Sequence, residues 1–206
     1  MLYGIDSSGK RVMPDSDSQA YCPLCKGKLT AKKGKIKVWH YAHKVESNCQ
    51  TKPETDWHRE WKGHFYSNYR EVIVQKNGRK KIADVKLHES VIEFQHSPIS
   101  VEEIADRERF YEKMFWVFDL RKQYDNGQFE LRFNNEYVTF RWKHPKMSIT
   151  YCTKPIYLDL GNNLIFRVKK IGDECPLGGW GYIRTKKQFI ELCHTKTSRR
   201  QKGQRT

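Results

Sequence analysis

Apolar residues recur at every fourth position early in the second quarter of the chain. They are Trp57, Trp61 and Phe65. This spacing puts them on one face of an α-helix, which we predict to run from about Glu54 to Arg70. A polar stripe with the same spacing lies beside them and consists of Glu54, His58 and Lys62. The pattern therefore predicts a helix with one buried aromatic face and a neighbouring face that carries ionisable groups.

Three strands are predicted after this helix. Residues 71–75 and 80–86 flank Asn77-Gly78, the dipeptide most typical of a two-residue hairpin turn. A third run of strand length follows at 91–95. The first two runs therefore form a predicted β-hairpin, and the third continues the sheet.

A second helix and a fourth strand complete this middle region. Ser100 followed three residues later by Glu103 is a capping box that begins a helix. Residues 116–119 have the pattern of a short buried strand. The predicted order is helix, three strands, helix, strand.

The last third of the chain predicts a β-rich extension. Residues 129–142 alternate around an Asn-Asn turn, and 156–168 alternate around Gly161. Thr185 begins a predicted closing helix over 186–193. No motif of obvious chemistry lies in this segment.

Charge and composition narrow the class of protein. The 206 residues include 39 Lys+Arg against 24 Asp+Glu, a formal net charge of +15, and 13% are aromatic. Such a chain folds, and the excess of positive charge indicates a polyanionic partner, nucleic acid before membrane. Because no run reaches the 18 or more apolar residues that a membrane span requires and no signal peptide is evident, we expect a cytoplasmic protein without a membrane partner.

A zinc site is predicted in the first fifty residues. Cys22 and Cys25 have the C-x-x-C spacing that brings two thiolates to one metal ion, and three further ligand candidates follow. These are His40, His43 and Cys49. The sequence does not choose the third and fourth ligands among these three, and the alternative is that the thiols are buried apolar groups. We expect a structural zinc ion with four ligands rather than a catalytic one.

Two carboxylates project from otherwise apolar strands in the middle region. Asp84 lies between Ala83 and Val85, and Glu93 lies between Ile92 and Phe94. A carboxylate in such a setting is costly unless a cation meets it. Asp84, Glu93 and the main-chain carbonyl of Phe94 would offer three oxygens to Mg²⁺ or Mn²⁺. The alternative is that each carboxylate pairs with a neighbouring basic side chain.

Six short motifs in this order are similar to those of a known family. They are Cys22-Pro23-x-Cys25, His40-x-Ala42-His43, Glu54-x-x-x-His58-x-x-x-Lys62, Ala83-Asp84-Val85, Glu93-x-Gln95-x-Ser97-x-Ile99-Ser100 and Arg107-x-x-x-Tyr111. Together they resemble the competence protein CoiA-like family, and the element order with Asp84 and Glu93 resembles the core of the PD-(D/E)XK nuclease superfamily. The resemblance implies an α/β fold with a PD-(D/E)XK nuclease core, a DNA substrate, and a catalytic metal ion held by Asp84 and Glu93.

One position departs from the superfamily pattern. Gln95 stands where the third catalytic residue is usually a lysine. Gln95 carries no charge but can orient a water molecule through hydrogen bonds. Lys86, Lys62 and His58 are the candidates for the missing cation and for proton transfer.

Two further residues have a predicted role in substrate binding. Arg107 and Tyr111 lie one turn apart on the second predicted helix and would bind phosphate or brace Glu93. The alternative is that they belong to a capped surface helix with no role in binding. We therefore predict a zinc-binding β module at 1–50, a nuclease-like domain with a β extension at 51–195, and a basic tail at 196–206.

The predicted function is hydrolysis of DNA phosphodiester bonds, in DNA uptake and recombination or in phage and mobile-element biology. The main alternative is a non-catalytic DNA-binding or recombination adaptor that retains a degenerate nuclease fold, which Gln95 favours. A zinc-ribbon protein that binds RNA is a third interpretation.

Overall fold

A computed structural model describes residues 1–15, 19–34, 39–44, 49 and 54–198. The chain forms two compact units, Met1–Val85 and Lys86–Thr206. The predicted basic tail lies outside the described residues except for the backbone of 196–198, which ends the last helix. The predicted domain limits stay a prediction.

The first unit begins with two small antiparallel strand pairs. They are β1 (Gly4–Ile5) with β2 (Arg11–Val12), and β3 (Leu29–Lys32) with β4 (His40–His43). A small core of buried side chains holds them together, and it consists of Met1, Ala20, Cys22, Leu29 and Tyr41. The apolar content of this module is therefore small, and one of its core side chains is a thiol.

The predicted first helix is shorter than its apolar stripe suggests. Helix α1 (Asp56–Gly63) begins at the cap Thr55, whose hydroxyl accepts a hydrogen bond from the His58 N–H. The helix ends at a glycine, which has low helix propensity, and a 3-10 turn (Ser67–Tyr69) follows. Trp57, Trp61 and Phe65 are all buried as the pattern predicts, although Phe65 lies beyond the helix.

The predicted hairpin completes the first unit. Strands β5 (Arg70–Lys76) and β6 (Arg79–Leu87) pair in antiparallel fashion. Asn77 and Gly78 both have positive φ angles, 49° and 74°, as a type I′ turn requires. The turn chemistry therefore fixes the register of the hairpin as the sequence predicts.

The second unit contains a seven-stranded part of a mixed sheet and three helices among its described residues. The strands are β7 (Ser90–Gln95), β8 (Met114–Asp119), β9 (Phe129–Phe133), β10 (Val138–Trp142), β11 (Ile156–Gly161), β12 (Leu164–Ile171) and β13 (Leu177–Thr185). Their order across the sheet is β7-β8-β11-β12-β13-β10-β9. Strands β7, β8 and β11 run parallel, and the other pairs run antiparallel. The fold class is therefore mixed α/β with a large sheet and few helices.

The helices of this unit begin at sequence-encoded caps or turns. They are α2 (Val101–Tyr111), α3 (Arg121–Asp125) and α4 (Lys186–Ser198). Ser100 accepts a hydrogen bond from the Glu103 N–H at 3.2 Å, as the predicted capping box requires. Thr185 and Gln188 cap α4 reciprocally, with each side-chain oxygen accepting from the other residue's N–H. Both predicted helix starts are thus observed, and α4 extends beyond its predicted end.

Strand β13 was missed by the sequence patterns because it is rich in glycine. Gly179 and Gly181 face the core, where added Cβ atoms would meet the rings of Phe140 and Phe166 at 2.7 and 2.9 Å. Glycine lowers strand propensity in general. Here the missing side chains make room for two aromatic rings, so the strand depends on its neighbours for its apolar contacts.

Candidate metal sites and nuclease-site residues

Four of the five predicted zinc ligands come together. Their ligand atoms all lie within 4.8 Å of one another, and the residues are Cys22, Cys25, His43 and Cys49. The Cys22 and Cys49 sulfurs are 3.7 Å apart, and the Cys25 sulfur lies 3.3 Å from His43 Nε2. His40, the fifth candidate, is not in this cluster.

Local structure explains the choice of His43. The Cys22–Cys25 turn is closed by hydrogen bonds from Lys26 N to Cys22 O and from Cys22 N to Gly27 O, at 2.9 and 2.8 Å. Side chains alternate along a strand, so His43 shares the face of β4 that carries the buried Tyr41, whereas His40 lies on the other face. Tyr41 and Cys22 belong to the same small core, so that face of β4 is the one directed at the thiols.

The donor set fits zinc better than an apolar thiol cluster. Cys22 is fully buried, but Cys25 is exposed and the imidazole of His43 is half-buried. Three sulfurs and one imidazole nitrogen are a set that Zn²⁺ binds tetrahedrally, with no position left open. The cluster could therefore bind a zinc ion in a structural role.

The thiols of this cluster differ in how readily they ionise. Burial raises the pKa of the Cys22 thiol, and burial together with the neighbouring Cys22 raises the pKa of Cys49 to about 12. Burial also acts against ionisation of Cys25, but hydrogen bonds from the Gly27 N–H and the neighbouring thiols lower its pKa overall. A metal ion bound here would displace protons from the buried thiols.

Lys62 lies at the centre of a buried group of carboxylates in the first unit. Its Nζ is 2.5 Å from Glu54 Oε1, 2.7 Å from Glu71 Oε1 and 3.8 Å from Asp84 Oδ1. The main-chain N–H groups of Leu2 and Tyr3 also donate to Glu71. The structure therefore places Lys62 beside Asp84, which is one of the two predicted metal ligands.

The carboxylates keep this lysine charged. Burial alone would lower the pKa of Lys62, but Glu71, Asp84 and Glu54 raise it overall. Burial opposes ionisation of Glu71, yet Lys62 and the main-chain donors lower its pKa to about 2. For Glu54, burial dominates and raises the pKa. At neutral pH Lys62 is therefore a cation and cannot accept a proton.

The other two candidates for proton transfer lie in different surroundings. The Nδ1 of His58 is 2.7 Å from the Thr55 hydroxyl, and its ring meets Trp57 edge to face. Lys86 is half-buried and shares with Asp84 one face of β6, because it lies two positions further along the strand. The roles of both residues stay predictions.

Glu93 is the most deeply buried carboxylate of the predicted site. Its side chain is 1% exposed, and Arg107 Nη1 donates a charge-assisted hydrogen bond to Glu93 Oε2. Arg107 also binds Glu103 through two nitrogens. Within the described residues, Glu93 Oε1 is buried without a hydrogen-bond donor. One oxygen of this carboxylate is thus held by arginine and the other is unsatisfied.

Three neighbouring predictions can be placed in the second unit. Gln95 is buried, and its Nε2 donates to the main-chain oxygen of Ser97 at 2.5 Å. Arg107 braces Glu93, which was the alternative to phosphate binding. Tyr111 is buried and packs edge to face against Phe110. Asp84 belongs to the first unit and Glu93 to the second, and their joint metal site stays a prediction.

A further ionisable cluster was not identified from the sequence. His96 Nδ1 is 2.7 Å from Asp119 Oδ2, and Arg121 donates to both oxygens of the same carboxylate. Burial opposes ionisation of Asp119, but the hydrogen bonds from Arg121 and His96 hold its pKa below the usual value. The sequence did contain a signal for this cluster. His96 directly follows β7 and Asp119 ends β8, and the carboxyl ends of these parallel strands meet at one edge of the sheet.

Comparison with known proteins identifies the class of protein. The N-terminal domain of competence protein CoiA matches residues 9–52, and the nuclease-like domain of competence protein CoiA matches residues 71–170. The chain belongs to the competence protein CoiA-like family, as its motifs predict. No curated protein and no solved structure matches it. None of the helices in the described part of the chain has the length and apolar character needed to cross a membrane.

Proposed function

We propose that this chain is a metal-dependent deoxyribonuclease of the PD-(D/E)XK superfamily that acts in DNA uptake and recombination or in phage and mobile-element biology. The nuclease-like domain match supports a nucleic acid substrate and a competence-related role. The net charge of +15 favours DNA binding through phosphates.

The observation that carries the proposal is the unsatisfied oxygen of Glu93. A buried carboxylate oxygen without a donor is costly, and a bound cation would remove that cost. Asp84 and Glu93 lie nine residues apart on consecutive strands of the chain, an arrangement that resembles the core of the superfamily. The acidic oxygens are those that Mg²⁺ and Mn²⁺ prefer.

In this proposal Asp84, Glu93 and the Phe94 carbonyl would hold Mg²⁺ or Mn²⁺. Such an ion polarises the phosphoryl group and lowers the pKa of bound water. Arg107 fixes the orientation of Glu93, and Lys62 fixes that of Asp84 while supplying positive charge near it.

Gln95 and the remaining polar residues take supporting roles. With its amide nitrogen donating to Ser97, Gln95 can present its amide oxygen to the attacking water. Because Lys62 is held protonated, it acts as an electrostatic partner or an acid. His58 is then the candidate acceptor of protons, and Lys86 is a second candidate for the missing cation.

The decisive experiment combines metal removal with one substitution. We expect purified protein to cleave linear or circular DNA in Mg²⁺ or Mn²⁺ and to lose cleavage in EDTA. Asp84→Asn should reduce the rate at least about 100-fold, since metal stabilisation of the transition state is worth several kcal/mol. The matched control Asp125→Asn, at an exposed acidic residue of α3, should cleave normally.

The second candidate is a non-catalytic DNA-binding adaptor. The ion pairs of Glu93 with Arg107 and of Asp84 with Lys62 favour it, because each carboxylate already has a protein cation. A salt-sensitive gel shift without cleavage in any divalent metal would establish the adaptor and exclude the nuclease.

A further inference from the structure

Strand β13 carries aromatic rings on the face opposite its core-facing glycines. Trp180 and Tyr182 alternate with Gly179 and Gly181, so the two rings lie on the other side of the sheet. Trp180 meets Tyr182 edge to face at 5.9 Å and meets Tyr137 at 5.7 Å. Tyr137 and Tyr182 are 42% and 37% exposed. Three neighbouring rings are therefore available at the surface.

Basic residues surround these rings because cross-strand partners share a face. Trp180 pairs with Thr139 on β10, and Thr139 pairs with Arg132 on β9. Arg167 on β12 pairs with Tyr182. Lys169 lies with its Nζ 6.0 Å from the centre of the Tyr182 ring.

The charge of this face is positive. Arg141 lies two residues from Thr139 on the same face of β10, and its cross-strand partner is Glu130. Hydrogen bonding and charge from Lys143 lower the pKa of Glu130, and Lys143 Nζ is 2.5 Å from its carboxylate. The negative charge of Glu130 is therefore balanced by Lys143. Arg132, Arg141 and Lys169 are exposed on the same face.

We propose that this face of β9, β10, β13 and β12 binds single-stranded DNA. We call it the aromatic–basic face and define it by Tyr137, Trp180, Tyr182, Arg132, Arg141 and Lys169. Surfaces that bind single strands combine cations that follow the backbone with rings on which bases stack. A duplex has its bases already stacked and would engage only the cations, so the aromatic residues select for single strands.

Within the second unit, this site is separate from Glu93 and Gln95. Gln95 pairs with Phe118 in the parallel register of β7 and β8, and Glu93 pairs with Trp116. Glu93 and Gln95 lie on β7, at one edge of the strand order in the second unit. The aromatic–basic face lies on β12, β13, β10 and β9, toward the opposite edge. The proposal does not rest on catalysis, because it applies equally to a nuclease and to an adaptor.

Binding is best measured without added Mg²⁺ or Mn²⁺ and with Asp84→Asn as the parent chain, so that cleavage cannot occur and no chelator removes metal from the thiol cluster. The probe is a fluorescein-labelled oligothymidine of about 16 nucleotides, long enough to cross one such surface, with anisotropy as the readout. Trp180→Ala combined with Tyr182→Ala should raise the Kd about tenfold or more. Unchanged affinity in this variant would overturn the proposal.

Matched variants separate stacking from folding and from charge. Trp180→Phe with Tyr182→Phe keeps the rings and should bind nearly as the parent does. Tyr66→Ala removes a ring that is 71% exposed in the first unit and should leave the Kd unchanged. If the alanine pair does not fold, Arg132→Glu with Arg141→Glu carries the test, and it should reduce the salt slope by roughly 0.7 per arginine.

Competing probes identify the ligand and distinguish the two proposals. Duplex DNA should bind more weakly than oligothymidine, and the alanine pair should not change its Kd. If the alanine pair weakens the binding of single-stranded RNA as much as that of oligothymidine, the site binds single strands in general. Tighter binding of duplex, with no effect of the aromatic variants on oligothymidine, would overturn the proposal. If the chain with Asp84 intact binds oligothymidine but cleaves no DNA in Mg²⁺ or Mn²⁺, the nuclease is rejected and this site is kept.

Discussion

The two candidate metal regions differ in whether their ligand atoms already have cationic partners in the protein. At the thiol cluster, three sulfurs and an imidazole nitrogen converge within one unit, and their surroundings contribute little apolar core. At the carboxylate residues, Lys62 and Arg107 already balance Asp84 and Glu93. A metal ion at the thiol cluster would therefore stabilise the fold. A metal ion at the carboxylates would compete with, or bind beside, the side-chain cations that already balance them.

Removal of zinc should have the largest effect. Apparent binding energies of structural zinc sites are about 10–16 kcal/mol at neutral pH, so Cys22→Ser or chelation should unfold the β module around β3 and β4. Elemental analysis should find one zinc per chain, and amide exchange should report loss of protection in this module. Cys175→Ser, at an exposed cysteine of the second unit, is the control and should retain both zinc and protection.

The choice of histidine provides a finer test of the same cluster. His43→Ala should lower zinc affinity strongly, while His40→Ala should leave it unchanged, because only His43 lies among the thiols. Competition with a chromogenic chelator measures both. Equal losses in the two variants would contradict the observed ligand set.

Loss of the buried lysine should come next in magnitude. Lys62→Met leaves Glu71 and Asp84 without their cation, and breaking a buried ion pair typically costs about 3–5 kcal/mol. Urea unfolding would measure the change. The exposed Lys80→Met, on β6, is the matched control and should change stability by less than about 0.5 kcal/mol. A neutral result for Lys62→Met would show that the carboxylates of this cluster are not ionised together.

Acid should lower the unfolding free energy through the same cluster, by an amount comparable to or smaller than the effect of Lys62→Met. The pKa of Glu71 is about 2 in the folded chain against 4.5 ordinarily, so the unfolded chain binds its proton first as the pH falls. Stability from Glu71, about 3 kcal/mol, is therefore present above pH 4.5 and lost between about pH 4.5 and 2.

The difference in unfolding free energy between the parent and Glu71→Gln isolates this contribution. It should shrink as the pH falls through that range. A difference that is constant with pH would mean that Lys62 does not lower the Glu71 pKa in the folded chain.

Glu93→Gln should have the smallest effect on stability and a large one on cleavage. Glutamine keeps an acceptor for Arg107, and Arg107 keeps its ion pair with Glu103, so the loss of stability should be smaller than that expected for Lys62→Met, about 3–5 kcal/mol. Under the nuclease proposal, DNA cleavage should fall at least about 100-fold. A chain that unfolds on this change, or cleaves normally, would contradict the assignment of Glu93 as a metal ligand.

The parts of the structure that the sequence predicts are those with local signals. The Asn77-Gly78 turn and the Ser100 cap are fixed by the chemistry of a few adjacent residues. The C-x-x-C turn is local as well, and it predicted the candidate zinc cluster without choosing its last two ligands. His43 could be distinguished from His40 only after the pairing of β4 and the buried position of Tyr41 were known.

The parts that the sequence missed depend on contacts between distant segments. His96 and Asp119 are 23 residues apart and meet because β7 and β8 run parallel. The apolar stripe of the first helix predicted burial correctly but not the helix end, since Phe65 reaches the core from beyond Gly63. Strand β13 has little propensity of its own and is specified by the rings it accommodates.

The alternation in β13 links the interior of the second unit to its surface. A methyl group at residue 179 would overlap the main-chain oxygen of Lys170 and lie 2.7 Å from the Phe140 ring, so the strand would have to shift. Trp180 and its neighbours would move with it, although none of them had been altered. The addition of one methyl group in the hydrophobic interior would thus alter the positions of the exposed aromatic rings. The two glycines therefore influence a surface to which they contribute no side chain.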